Sequence, residues 1–74
     1  MTNPYLQKRS LQLSGHKTSV ALETEFWQIL EEMADINHNT LAAFIATVDT
    51  TRNPDLPLSS ALRLTALKFV MNKP

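Results

Sequence analysis

Cysteine is absent from the 74 residues, which removes a disulfide framework and a thiolate metal site. The two histidines, His16 and His38, match no metal spacing, so neither a metal nor any other cofactor is expected. Long apolar stretches are absent too: the longest strictly apolar run covers residues 41–46, far short of a membrane span. Residues 1–7 lack the charged, then apolar, then small-residue order of a secretory signal, so a cytoplasmic location is expected. A chain this short makes one domain at most and buries only about three-fifths of the surface its unfolded form exposes. With disulfides and metals excluded, oligomerisation is left as the stabilising device. A catalytic pocket is not expected in so small a body, and no small-molecule substrate suggests itself.

Net charge is also lacking, since seven bases balance seven acids, but the balance is uneven along the chain. Residues 1–20 carry Lys8, Arg9 and Lys17 and no acid, whereas residues 21–50 carry Glu23, Glu25, Glu31, Glu32, Asp35 and Asp49 and no base. Blocks of this kind suggest an interaction face, because affinity for phosphate rests on a local positive field rather than on the total. The plainer alternative is a solubilising tail.

From residue 17 to 22 the chain alternates, with Thr18, Val20 and Leu22 on one face and Lys17, Ser19 and Ala21 on the other, as a half-buried strand requires. The strand is expected over residues 16–22. Upstream, Leu11 and Leu13 also alternate, but in odd positions, so the phase slips by one around Gly15, the only glycine. A β-bulge at Gly15 would extend the strand upstream and turn Ser10 and Gln12 outward with Lys17. The alternative is that residues 1–13 form a flexible arm and only 16–22 are strand; the single domain is taken over 8–74, with residues 1–7 as an arm ahead of it.

After Glu23 the period changes to about 3.6. Phe26, Ile29, Leu30, Met33 and Ala34 mark a helix over 24–36, with Trp27 expected in the core, and Leu41, Phe44, Ile45 and Val48 mark a second over 40–50. Asn39 or Thr40 is placed to cap the second helix. A third, over 57–72, is apolar on nearly every side and must be enclosed by other elements, some of them from another subunit. A lone strand leaves both edges unpaired, and the economical remedy is a two-fold dimer in which residues 18–22 pair antiparallel with their own copy. The free face of that ribbon would display Lys17, Ser19 and Ala21 twice, and a two-stranded ribbon is narrow enough for the major groove of B-DNA.

The run Ser14-Gly15-His16-Lys17-Thr18-Ser19-Val20-Ala21-Leu22-Glu23, the pair Phe26-Trp27 and the later Leu58-Ser59-Ser60-Ala61-Leu62-Arg63 resemble short bacterial ribbon-helix-helix proteins, which share the Arc/MetJ-like repressor fold. The likeness covers residues 8–71. It implies a mainly α fold with one β-strand, an intertwined homodimer with an intersubunit antiparallel ribbon, and an additional C-terminal helix. The implied activity is that of a sequence-specific DNA-binding protein, a transcriptional repressor of its own gene, and not of an enzyme. Carried onto this chain, the base readers are Lys17, Ser19 and Ala21. The phosphate clamp falls at Asn39, Thr40 and Leu41, with Lys8, Arg9 and His16 as further backbone contacts. Two departures weaken the likeness: His38 stands where such repressors often place glycine, and Ala42 and Ala43 stand where polar residues are usual. Ala21, for its part, offers only a methyl to a thymine methyl.

The rival expectation is a dimeric or tetrameric protein-interaction module, antitoxin-like, that uses the third helix and binds little DNA. Antitoxins of this fold usually carry a long C-terminal extension, and the sequence stops at Pro74, which favours the DNA-binding expectation. Glu31, Glu32 and Asp35 are expected to form a solvated helix face, and Ser59 and Ser60 a first helical turn.

Overall fold

The computed structural model describes residues 5–74. Its order is β1 (Leu6–Leu13), β2 (His16–Glu23), α1 (Thr24–Ile36), α2 (Leu41–Thr51) and α3 (Leu58–Met71). β1 and β2 form a two-stranded antiparallel sheet in which Leu13 faces His16 and Leu6 faces Glu23.

This hairpin corrects two expectations. There are two strands, not one, and the partner of residues 16–22 is residues 6–13 of the same chain. Gly15 is not a bulge: Ser14 and Gly15 form a two-residue turn with φ of 50° and 85°, the pair of positive values that type I′ hairpin turns require. The turn accounts for the phase slip, because a two-residue loop pairs odd positions with even ones. Of the arm expected over residues 1–7, Leu6 and Gln7 belong to β1 and residues 1–4 lie outside the described residues.

One face of the hairpin covers the core. Leu13, Val20 and Leu22 are buried there beside Trp27 and Leu30 of α1, Ile45 of α2, and Leu62 and Ala66 of α3. Trp27 is completely enclosed, and its indole N–H donates to the Gln7 carbonyl at 2.8 Å, which satisfies the polar end of a buried ring. α2 packs against β1, α3 against β2, and α1 against both other helices.

The junction between α1 and α2 is closed by backbone hydrogen bonds. The Asn39 N–H donates to the Ala34 carbonyl at 2.8 Å and the His38 N–H to the Asp35 carbonyl at 3.0 Å, the two bonds of a Schellman stop. His38 takes φ of 56° there, the left-handed conformation that glycine adopts at least cost. The third helix buries Ala61, Leu62 and Ala66 but leaves Leu64, Leu67, Val70 and Met71 between 43% and 71% exposed.

Candidate nucleic-acid interface

The register assigns each hairpin residue to a face. Directly opposed residues share a face, so Lys8 with Ala21, Ser10 with Ser19, and Gln12 with Lys17 stand together on the side away from the helices. All six are exposed. Counting from the closing pair Leu13 and His16, these three pairs fall at the non-hydrogen-bonded positions, where opposed side chains stand closest. Accordingly the hydroxyls of Ser10 and Ser19 meet at 3.3 Å. The surface has two small hydroxyls at its centre, a lysine toward each end, and no acid among its six residues.

The electrostatics of the face follow from where the acids have gone. Arg9 binds Glu31 at 2.8 Å, Arg52 binds Asp49 at 2.9 Å, Arg63 binds Glu23 at 2.9 Å and Lys73 binds Glu32 at 3.2 Å. Among the described residues, these four bases have carboxylate partners, and Lys8, Lys17 and Lys68 do not. Two of those three lysines are on the outer hairpin face. The acid that shares its strand alternation, Glu23 at the end of β2, is neutralised by Arg63, so it subtracts little from the field. Its own backbone N–H and then the Arg63 guanidinium hold the Glu23 carboxyl below the usual glutamate range.

The expected base readers Lys17, Ser19 and Ala21 are therefore together on an exposed face, and Lys8 joins them from β1. Arg9 does not. It lies on the opposite register face, where its guanidinium stacks 4.7 Å from the Trp27 ring and also donates to the Gln7 side-chain oxygen at 2.9 Å. His16 is exposed at the hairpin tip, on the Leu13 side of the register. Asn39, Thr40 and Leu41 form a separate cluster beyond the far end of α1, a helix of 13 residues and therefore about 20 Å long. Thr40 caps α2, its hydroxyl accepting from the Ala43 N–H at 3.1 Å. That leaves the Leu41 and Ala42 N–H groups as first-turn donors with no intrahelical acceptor. Leu41 itself packs against the core, so only its backbone is available.

Sequence reasoning did not assign a role to Ser10 or Gln12. The signal was present in the Ser14-Gly15 turn dipeptide between two alternating runs, which is the pattern of a hairpin. Among the described residues there is no group of three or more His, Cys, Asp or Glu side chains suited to a metal, and no helix is long and apolar enough to cross a membrane.

Comparison with known proteins agrees with this geometry. The chain is similar to the solved structure of an uncharacterized protein from Bordetella pertussis Tohama I, with a TM-score of 0.74 and 29% identity. The likeness covers 95% of this chain and 62% of that one, so this chain spans somewhat under two thirds of its relative's length. No curated protein matches. Residues 6–70 match the family model described as the ribbon-helix-helix domain, a family whose members generally bind DNA as transcription regulators and typically form dimers. With nearly its whole length matched, the chain belongs to the ribbon-helix-helix domain family.

Proposed function

We propose that this protein is a cytoplasmic, sequence-specific DNA-binding regulator that represses its own gene by inserting the β-hairpin into the major groove. The observation that carries this reading is the outer face, on which Lys8 and Lys17 are exposed and unpaired, while Glu23 at its end is neutralised by Arg63 and three other bases are paired with carboxylates elsewhere. A two-stranded ribbon has the width of the groove, and unpaired lysines supply the counterion release that dominates affinity for duplex DNA. Lys17 and Ser19 reach base edges, Ala21 meets a thymine methyl, and Lys8 binds phosphate. Asn39, Thr40 and Leu41 hold a phosphate through the first turn of α2, and His16 adds a backbone contact at the tip. Arg9 is not included, because its guanidinium is committed to Glu31 and Trp27.

The functional unit is a homodimer, with a tetramer as the alternative assembly. The exposed apolar residues Leu64, Leu67, Val70 and Met71 on α3 support this, since a 74-residue chain has little surface to leave uncovered. The same residues favour a second reading, in which α3 docks another protein and DNA binding is slight. Titration of duplex DNA from the region upstream of the gene at two ionic strengths, with assembly mass recorded in the same samples, separates the two. The regulator reading expects a salt-sensitive complex, and absence of binding at low salt contradicts it. A stoichiometric protein partner that survives high salt is the expectation of the second reading.

A further inference from the structure

We infer that Gln12 is a base-reading residue, so that the reading surface is built from both strands of one chain's hairpin and not from β2 alone. The inference rests on the DNA-binding reading above and specifies the chemistry of the same face. Three observations carry it.

The register sets Gln12 directly opposite Lys17 on the outer face, and both are exposed. Their position at a non-hydrogen-bonded pair brings the two side chains as close as strand geometry allows, with Cβ atoms about 4.5–5.5 Å apart. Neighbouring base pairs can therefore be engaged by one row of the hairpin. The centre of the face is low, because Ser10 and Ser19 are short and their hydroxyls are already in contact at 3.3 Å. A low centre lets the ribbon backbone come close to the groove floor, so the longer Gln12 and Lys17 chains beside the tip reach base edges without extending fully.

The chemistry of the amide supplies the third point. Gln12 carries no charge, so it adds nothing to the phosphate attraction that Lys8 and Lys17 provide. Its side chain has a donor and an acceptor, the pair that matches N7 and the N6 amino group of adenine in the major groove. The neighbouring Lys17 ammonium, a donor alone, matches the O6 and N7 acceptors of guanine. The row Gln12 and Lys17 thus prefers an adenine and a guanine on nearby base pairs.

The test is selection from a randomised pool of duplex DNA with the wild-type chain and the Gln12→Ala, Gln12→Glu and Lys17→Ala variants. Direct affinity measurement on the selected duplexes and on a scrambled duplex follows. Circular dichroism shows that each variant is folded, as substitutions at an exposed position leave the core intact. Gln12→Ala is expected to erase preference at one base-pair position, weakening the selected duplex by about 5-fold to 100-fold while leaving the scrambled duplex and the salt slope unchanged. Gln12→Glu is expected to move the preference at that position toward cytosine, whose N4 amino group donates to a carboxylate. If Gln12→Ala selects the same sequences with unchanged affinity while Lys17→Ala weakens binding, β2 reads alone and the inference is overturned with the DNA-binding reading intact. Equal weakening on both duplexes also overturns it, because the contact is then to the backbone. Failure of the wild-type chain to bind any duplex overturns the DNA-binding reading and this inference together.

Discussion

The indole N–H of Trp27 donates to the backbone carbonyl of Gln7 at 2.8 Å, which fastens the first helix to the first strand across 20 residues of sequence. Arg9 lies over the same ring at 4.7 Å and reaches Glu31 on α1, so β1 is tied to α1 by a hydrogen bond, a cation–π contact and an ion pair. The hairpin is thereby held on the helices with its other face outward.

Trp27 is completely buried, so Trp27→Ala should destabilise the chain by about 3–5 kcal/mol, a large part of the roughly 4–11 kcal/mol expected for a domain of this length. Trp27→Phe keeps most of the apolar area but removes the donor to Gln7, and should cost about 1–3 kcal/mol. Denaturant unfolding at constant protein concentration measures both. Equal stabilities for Trp27→Phe and the wild type would show that the indole hydrogen bond contributes nothing.

The hairpin turn can be probed at Gly15. A Cβ there meets nothing within 4 Å, so the cost of Gly15→Ala is conformational alone and arises from φ of 85°. It should destabilise the fold by about 1–2 kcal/mol, whereas Ser14→Asn, which gives the Asn-Gly pair that type I′ turns favour, should be neutral or stabilising. Thermal midpoints of the two variants moving in the same direction would argue against this turn.

His38 occupies a left-handed position between α1 and α2, with φ of 56°. His38→Gly should stabilise the chain by about 0.5–1 kcal/mol, the relief of side-chain strain exceeding the added freedom of the unfolded chain. A lower thermal midpoint for this variant would mean that the imidazole makes a compensating contact.

Stability at acid pH should depend on Glu23. Its carboxyl titrates below the usual glutamate range, held first by its own backbone N–H and then by Arg63. A lowered folded-state value contributes stability that is fully present above the ordinary value of about 4.3 and is lost as pH falls through the lowered one. Glu23→Gln should therefore lower the thermal midpoint slightly near neutrality, converge on the wild type in acid, and so flatten the decline across that window. An unchanged acid profile would exclude the Arg63 pair as a contributor.

How much of this was legible in the sequence depends on the range of the interactions. Helix periodicity is local, and the apolar spacing from Phe26 to Ala34 and from Leu41 to Val48 foretells the sides of α1 and α2 that meet the core. The outward set Lys17, Ser19 and Ala21 was equally plain, because alternation alone determines it. The hairpin was not, since a bulge and a two-residue turn shift the alternation by the same single step. The Ser14-Gly15 dipeptide points to the turn, and the pairing of Leu13 with His16 decides it. The role of Arg9 depended on Glu31 and Trp27, which the fold brings to it from a different element and which periodicity within β1 does not reveal. The all-round apolarity of α3 led to the expectation that it is enclosed, whereas in the single chain Leu64, Leu67, Val70 and Met71 stay exposed, because periodicity within one helix does not tell which neighbour covers it.

The most direct test of the outer face is the salt dependence of duplex DNA binding by the wild-type chain and by the Lys8→Ala/Lys17→Ala double variant. Log affinity should fall linearly with log salt for the wild type, and the double variant should bind more weakly with a slope shallower by about 0.9 per chain engaged, the share of the Lys8 phosphate contact. An identical slope and affinity for the two proteins would show that the hairpin face does not meet the phosphates.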